Sequence, residues 1–225
     1  MKNSNQIMVI SGGACNGELV RRLIIEKAID TVIVVDGGLK VVDELQIMPN
    51  YIVGDFDSID ERLLSKYKKF AENDSMDAPI IKTYSPKKDD TDTEIAIRLC
   101  IELKPQEVTI VGATGTRLDH TFANMHLLMK LLEERIPAAI YDGHNKIYLI
   151  DQPIRLYKKN LYGPYFSMLP FSETVSGITL KGFKYPLDNR KISLGTSLCI
   201  SNEVVEETAQ LIFKDGILII FESLD

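Results

Sequence analysis

The stretch Thr31-Val32-Ile33-Val34-Val35-Asp36-Gly37-Gly38 decides the fold. Five β-branched residues in a row have no polar alternation, so the strand they predict has both faces covered. The run stops at an acid and two glycines, and Leu39 to Leu45 then carries helical spacing. The same unit recurs on either side. Ile7 to Ser11 reads as a strand and Glu18 to Lys27 as a helix with Leu19, Leu23 and Ile24 on one side. Tyr51 to Val53 and Ile80 to Thr83 read as strands, separated by a charged amphipathic helix over Asp60 to Phe70. A helix over Thr91 to Leu103, a strand over Val108 to Val111, a helix over Asp119 to Arg135 and a strand over Ala138 to Tyr141 complete the series. Apolar strands alternating with amphipathic helices predict an α/β domain, an open, mostly parallel sheet with helices on both faces.

After about Asn145 the pattern changes. Lys146 to Ile150, Ile154 to Tyr157, Tyr165 to Leu169, Thr174 to Leu180, Leu198 to Ser201, Ala209 to Phe213 and Gly216 to Phe221 are short runs parted by Gly, Pro, Asn and Asp. Lys214-Asp215-Gly216 predicts a hairpin turn. The expected organisation is an α/β domain over 1–145 followed by a smaller all-β sandwich domain over 146–225.

Composition narrows the function. The 225 residues carry a net charge of −6, with 45% apolar and 26% charged residues. That balance opposes nonspecific nucleic-acid binding, which needs a basic surface. No apolar run approaches the ~20 residues that cross a bilayer. The polar start, Met1 to Gln6, does not read as a secretory signal. Cys15, Cys100 and Cys199 are odd in number and widely spaced, as expected of reduced thiols in a cytoplasmic protein.

Three clusters fall where strands end or helices begin. They are Gly54-Asp55-Phe56-Asp57-Ser58, Asp89-Asp90-Thr91-Asp92 and Gly112-Ala113-Thr114-Gly115-Thr116-Arg117-Leu118-Asp119-His120. In an open α/β sheet those places converge on the carboxyl edge, where ligands bind. Asp55 and Asp57 are two apart, so on an extended segment their carboxylates share a face and suit Mg²⁺. Helix capping by Asp57 or Ser58 is the competing reading. Asp36 ends its strand in the same way and either joins the cluster or makes a plain turn. Thr91 and Glu94 fit a capping box. Capping leaves the crowding of Asp89, Asp90 and Asp92 unexplained, and a cation relieves it. Lys87 and Lys88 either offset that charge or face a phosphate. The glycine-rich turn lets backbone N–H groups approach phosphate oxygens, and Arg117 offers a planar fork. The missing Gly-Lys-Ser/Thr ending excludes a Walker A loop. Ser201-Asn202-Glu203 by itself is an ordinary polar turn.

Taken in order, these motifs resemble the thiamine pyrophosphokinase (thiamine diphosphokinase) family, and the resemblance spans nearly the whole chain. It implies a nucleotide-binding α/β domain, a thiamine-binding β-sandwich domain and a homodimer with thiamine sites between subunits. The implied reaction moves a diphosphoryl group from ATP to thiamine and releases AMP. Carried onto this sequence, it makes Asp55, Asp57 and Asp92 the Mg²⁺ ligands, with Asp119 a fourth catalytic acid that binds metal or orients the hydroxyl. Asp36, Lys87, Gly112, Thr114, Gly115 and Arg117 would meet ATP, and Ser201 and Asn202 the aminopyrimidine of thiamine. Leu39-Lys40 stands where many members have Ala-Asn. Animal members stack thiamine on a tryptophan, and this chain contains none. Two rivals stay open at this stage: a Mg²⁺-dependent kinase or pyrophosphokinase for another alcohol, and a noncatalytic nucleotide or thiamine diphosphate sensor.

Overall fold

The computed structural model describes residues 5–57, 59–72, 78–83 and 90–225. The chain divides into two compact units, one ending at Gly143 and the other spanning His144–Asp225.

The first unit alternates strand and helix: β1 (Gln6–Ile10), α1 (Gly17–Glu26), β2 (Thr31–Val35), α2 (Gly38–Leu45), β3 (Tyr51–Gly54), α3 (Glu61–Ala71), β4 (Ile80–Thr83), α4 (Asp92–Leu103), β5 (Glu107–Val111), α5 (Leu118–Glu133) and β6 (Ala138–Tyr141). All six strands are parallel, in the order β6-β5-β1-β2-β3-β4. From β1 the chain winds outward to β4, crosses back under α4 and continues through β5 to β6. Right-handed crossovers in opposite directions place their helices on opposite faces. Accordingly α1 packs on α2, and α4 packs on α5 while crossing β1, β2 and β3. The central strands β1, β2 and β5 are buried at every position after their first. The winding reverses between β1 and β5, and such a switch point opens a crevice at the carboxyl ends of the strands.

The helix ends follow local chemistry. Asn16 caps α1, accepting from the Glu18 N–H at 2.8 Å. Asp60 caps α3, accepting from the Arg62 N–H at 2.8 Å. Thr91 caps α4, its hydroxyl accepting from the Glu94 N–H at 3.2 Å. Cys100 lies on the inner face of α4 with no exposure. Among the described residues no helix is long and apolar enough to cross a membrane.

The second unit contains β7 (Asn145–Ile150), β8 (Ile154–Tyr157), β9 (Tyr165–Pro170), β10 (Thr174–Lys181), β11 (Leu187–Ser193), β12 (Asn202–Glu203), β13 (Thr208–Ile212) and β14 (Leu218–Ser223). They form two antiparallel arrays, β12-β9-β14-β7 and β11-β10-β13-β8. Phe166, Met168, Leu218 and Ile220 from one array share a core with Val175, Ile178, Leu180 and Leu211 from the other. The alternating burial of β9 and β13 is that of sandwich strands.

Three local expectations change. Strand β11 was not legible because Leu187–Ser193 is an edge strand with five of its seven residues exposed, so it lacks an apolar pattern. Leu198 to Ser201 is a turn rather than a strand: Cys199 points into the core, while Leu198 and Ile200 stand exposed. Lys214-Asp215-Gly216 is not a hairpin. The strands it joins, β13 and β14, belong to different arrays, so the turn is a corner. Gly216 takes φ +104° there, and Asp215 bridges Ser176 instead.

Candidate functional site

A cleft of about 320 Å³ lies at the switch point of the first unit. The ends of β1, β2 and β5 and the starts of α4 and α5 line it. That volume is at the small end for a ligand site.

Its floor is glycine backbone. The Gly13 N–H donates to the Gly112 carbonyl at 2.7 Å and the Ala14 N–H to the Thr114 carbonyl at 2.9 Å. A Cβ on Gly13 would stand 2.5 Å from both of those carbonyl oxygens, so only glycine permits the approach. Side chains brace the glycine-rich turn. The Thr114 hydroxyl donates to Asp142 at 3.0 Å, Asn124 donates to the Ala113 carbonyl at 2.8 Å, and the Gly115 N–H donates to the Thr121 hydroxyl at 3.2 Å. Arg117 precedes α5 and makes no side-chain cap, leaving the helix N-terminus facing the cleft. Such a terminus favours an anion.

Carboxylate oxygens of Asp36, Asp55 and Asp92 lie within 4.8 Å of one another. Each comes from a different element: Asp36 after β2, Asp55 after β3 and Asp92 at the start of α4. Asp36 sits in the left-handed region at φ +39°, a conformation an aspartate tolerates better than most residues. Its Oδ1 is buried and has no hydrogen-bond partner among the described residues. That oxygen occupies the space a side chain at position 54 would fill, so Gly54 makes room for it. Burial, then the adjoining Asp92 with its hydrogen bond and charge, then Asp55, push the Asp36 carboxyl from 3.8 up to about 7. Three crowded carboxylates with one orphaned oxygen form a hard, anionic donor set, and a divalent cation fits it.

Asp57 lies outside this group. Sharing a face with Asp55 requires an extended segment, but Phe56 adopts φ +64° and buries its ring, which breaks the alternation. Asp57 is exposed, and its N–H donates to Asp55 at 3.3 Å. Asp36 takes the third place that spacing had given to Asp57. Asp119 is also separate. It is exposed and accepts a two-point contact from Arg117, at 2.6 and 3.2 Å. That hydrogen-bonded guanidinium holds the Asp119 carboxyl down near 2. Lys87 and Asp89 lie outside the described residues.

In the second unit Ser201 is exposed at φ +55°, its N–H donating to the Ser167 hydroxyl at 2.9 Å. Asn202 is only 3% exposed. Its amide is turned onto the backbone of Tyr185, a partner that nothing in the sequence marked.

A doubly wound α/β unit with a three-carboxylate cluster at its switch point, followed by a β-sandwich, defines a nucleotide-type binding fold joined to an accessory β domain. The family model for the thiamin pyrophosphokinase catalytic domain matches residues 23–140, and that for the thiamin pyrophosphokinase vitamin B1 binding domain matches residues 151–218. The chain belongs to the thiamin pyrophosphokinase family. It is 37% identical over 191 residues to a thiamine pyrophosphokinase of Bacillus subtilis, covering 85% of this chain and 86% of that one. A crystal structure of thiamine pyrophosphokinase from B. subtilis superposes with a TM-score of 0.85 at 32% identity, covering 98% of this chain and 99% of that one. One from Geobacillus thermodenitrificans superposes with a TM-score of 0.81, also at 32% identity, covering 98% of both chains.

Proposed function

We propose that this chain is an ATP-dependent diphosphotransferase that converts thiamine to thiamine diphosphate and releases AMP. The thiamine hydroxyl oxygen forms a bond to the β-phosphorus of ATP, and its proton is released to solvent. The bond from that phosphorus to the oxygen bridging the α-phosphorus breaks, and the oxygen leaves with AMP. Catalysis of this kind rests on positioning and charge neutralisation.

Asp36, Asp55 and Asp92 would hold Mg²⁺, which supplies positive charge to the phosphate oxygens. The orphaned, buried Asp36 oxygen within that group is the observation that best supports a cation there. Arg117 and the N-terminus of α5 meet the polyphosphate, with Gly112, Thr114 and Gly115 shaping the cleft floor. Arg117 exchanges its Asp119 partner for phosphate, so Asp119 acts by aiming the guanidinium. Ser201 lies on the acceptor surface of the second unit. The working form is a homodimer in the cytoplasm.

The test is an assay of AMP release with ATP and Mg²⁺, with and without thiamine. AMP and thiamine diphosphate should appear together, and chelation should stop both. ADP with thiamine monophosphate would overturn the diphosphoryl assignment. AMP formed only with a different alcohol would overturn the acceptor. Tight nucleotide binding without AMP would make the protein a sensor. Light scattering of the active species tests the dimer.

A further inference from the structure

A pair of hydroxyls meets at the floor of the cleft, and neither helix capping nor the carboxylate group accounts for it. Ser11 follows β1, where Ile7 to Ile10 are wholly buried, and is itself only 2% exposed. Its Oγ lies 3.1 Å from the Oγ1 of Thr93, and both residues line the cleft. A hydroxyl buried at such a place opposes folding unless it is paired. Thr93 is the second residue of α4. Inside a helix a threonine can bond the carbonyl four residues back, but at this position no helical turn lies behind it. Nor does Thr93 cap the helix, since Thr91 already accepts from the Glu94 N–H. The two hydroxyls serve each other.

The pair holds one proton more than it can use. Each hydroxyl carries a single proton, and the bond between them consumes one of the two. The other has no acceptor among the described residues. Ser11 is sealed, whereas Thr93 is half-buried in the cleft wall. The pair's position is set by the sheet. Ile10 pairs with Val34 of β2 and with Val111 of β5, so Ser11 stands level with Val35 on one side and Gly112 on the other. Asp36 is the next residue after Val35, and Asp92 adjoins Thr93. Gly112 comes so near that a Cβ there would be 2.3 Å from the Ser11 carbonyl oxygen. The hydroxyls thus sit between the three-carboxylate group and the glycine-rich turn. A polyphosphate that reaches from one to the other passes over them.

We propose that Thr93 is a further polyphosphate contact and Ser11 its positioning residue. Ser11 donates to Thr93, which turns the spare proton of the Thr93 hydroxyl outward to a phosphoryl oxygen. The inference rests on the nucleotide reading above and adds both residues to it.

The test is calorimetry on the full-length protein with Mg²⁺ alone and with Mg²⁺ plus α,β-methylene-ATP, whose bridging carbon blocks transfer. KM for ATP and for thiamine come from AMP release. A hydrogen bond to a charged oxygen corresponds to about a tenfold to hundredfold change in affinity, and a neutral one to about two- to tenfold. Thr93→Val keeps the shape without the hydroxyl and should weaken the analogue about tenfold or more, with a matching rise in KM for ATP. Thr93→Ser should bind as the wild type does. Ser11→Ala should lose about two- to tenfold. The double variant should be no weaker than Thr93→Val, because Ser11 has nothing left to orient. Mg²⁺ alone should bind every variant as it binds the wild type, and KM for thiamine should hold. Losses that multiply would overturn the positioning role of Ser11. A fall in Mg²⁺ affinity that matches the loss of analogue would overturn the contact and make the pair a brace for Asp92. If Ser11→Ala does not fold, the Thr93 series decides: Thr93→Ala should lose as Thr93→Val does, and equal binding by Thr93→Ser and Thr93→Ala would overturn the inference. A wild type that binds no analogue refutes the nucleotide reading itself. A wild type that binds it, with Thr93→Val unimpaired, refutes only this inference.

Discussion

Replacing Asp36 with asparagine should stabilise the metal-free protein while disabling the loaded one. In the folded chain the Asp36 carboxyl is raised from 3.8 to about 7 by burial and by Asp92 and Asp55. A raised carboxyl binds its proton more tightly folded than unfolded. At pH 4 and below both states are protonated, and the site costs nothing. From pH 4 to 7 the unfolded chain ionises first, so stability falls. Above 7 the cost is constant. Three pH units set a ceiling of about 4 kcal/mol. The site is partly open, and solvent screening reduces that to about 1–2 kcal/mol. Asparagine keeps the shape and removes the charge. Thermal melts in EDTA should therefore give the variant a Tm about 2–8 °C above wild type at pH 8. At pH 4 the two should coincide. With Mg²⁺ the order reverses, because the wild type gains the metal's binding energy. Turnover should fall about 10²–10³-fold, as for loss of one preorganised electrostatic contact. A variant no more stable than wild type at pH 8 in EDTA, or one stabilised equally by Mg²⁺, would refute the cluster as a strained cation site.

Mg²⁺ affinity of the wild type should rise with pH up to about 7 and then level off, since binding displaces the Asp36 proton; a flat calorimetric profile from pH 5 to 8 would contradict this. Asp55→Asn should weaken Mg²⁺ binding far more than Asp57→Asn, because only Asp55 belongs to the three-carboxylate group; equal losses in a metal titration would restore Asp57 as a ligand. Arg117→Lys should raise KM for ATP about tenfold or more, because lysine cannot reproduce a planar fork toward phosphate; an unchanged KM would remove Arg117 from the polyphosphate site. In the second unit, Glu222→Leu should destabilise by about 1–3 kcal/mol in denaturant titrations, because it leaves the Tyr162 N–H and the Tyr148 hydroxyl without their acceptor. Glu222 is 1% exposed and accepts from Lys146 Nζ at 3.0 Å, the Tyr148 hydroxyl at 2.9 Å and the Tyr162 N–H at 2.7 Å.

What could be read from the sequence depended on how far each feature reaches. Parallel strands buried on both faces write themselves as unbroken apolar runs, so Thr31 to Val35 and Val108 to Val111 were plain, as was the glycine turn that follows β5. Edge strand β11 pairs on one side and faces water with most of its residues, so no run marks it. The acidic cluster was legible as three motifs but not as a set. Choosing Asp57 over Asp36 assumed a local geometry, an extended segment through Phe56. The actual choice is made by a contact between elements: Asp36 fits against the bare Cα of Gly54 on the next strand, and Phe56 turns left-handed to bury its ring. Sequence spacing carries no record of that contact, since the two residues are neighbours only through the pairing of β2 with β3. The same reason hid the partner of Asn202, which lies 17 positions away at Tyr185. In both cases residue type signalled a polar job, and only the fold assigned the object. An aspartate beside glycine marked a place where charge is crowded, and a buried asparagine marked a backbone that must be held.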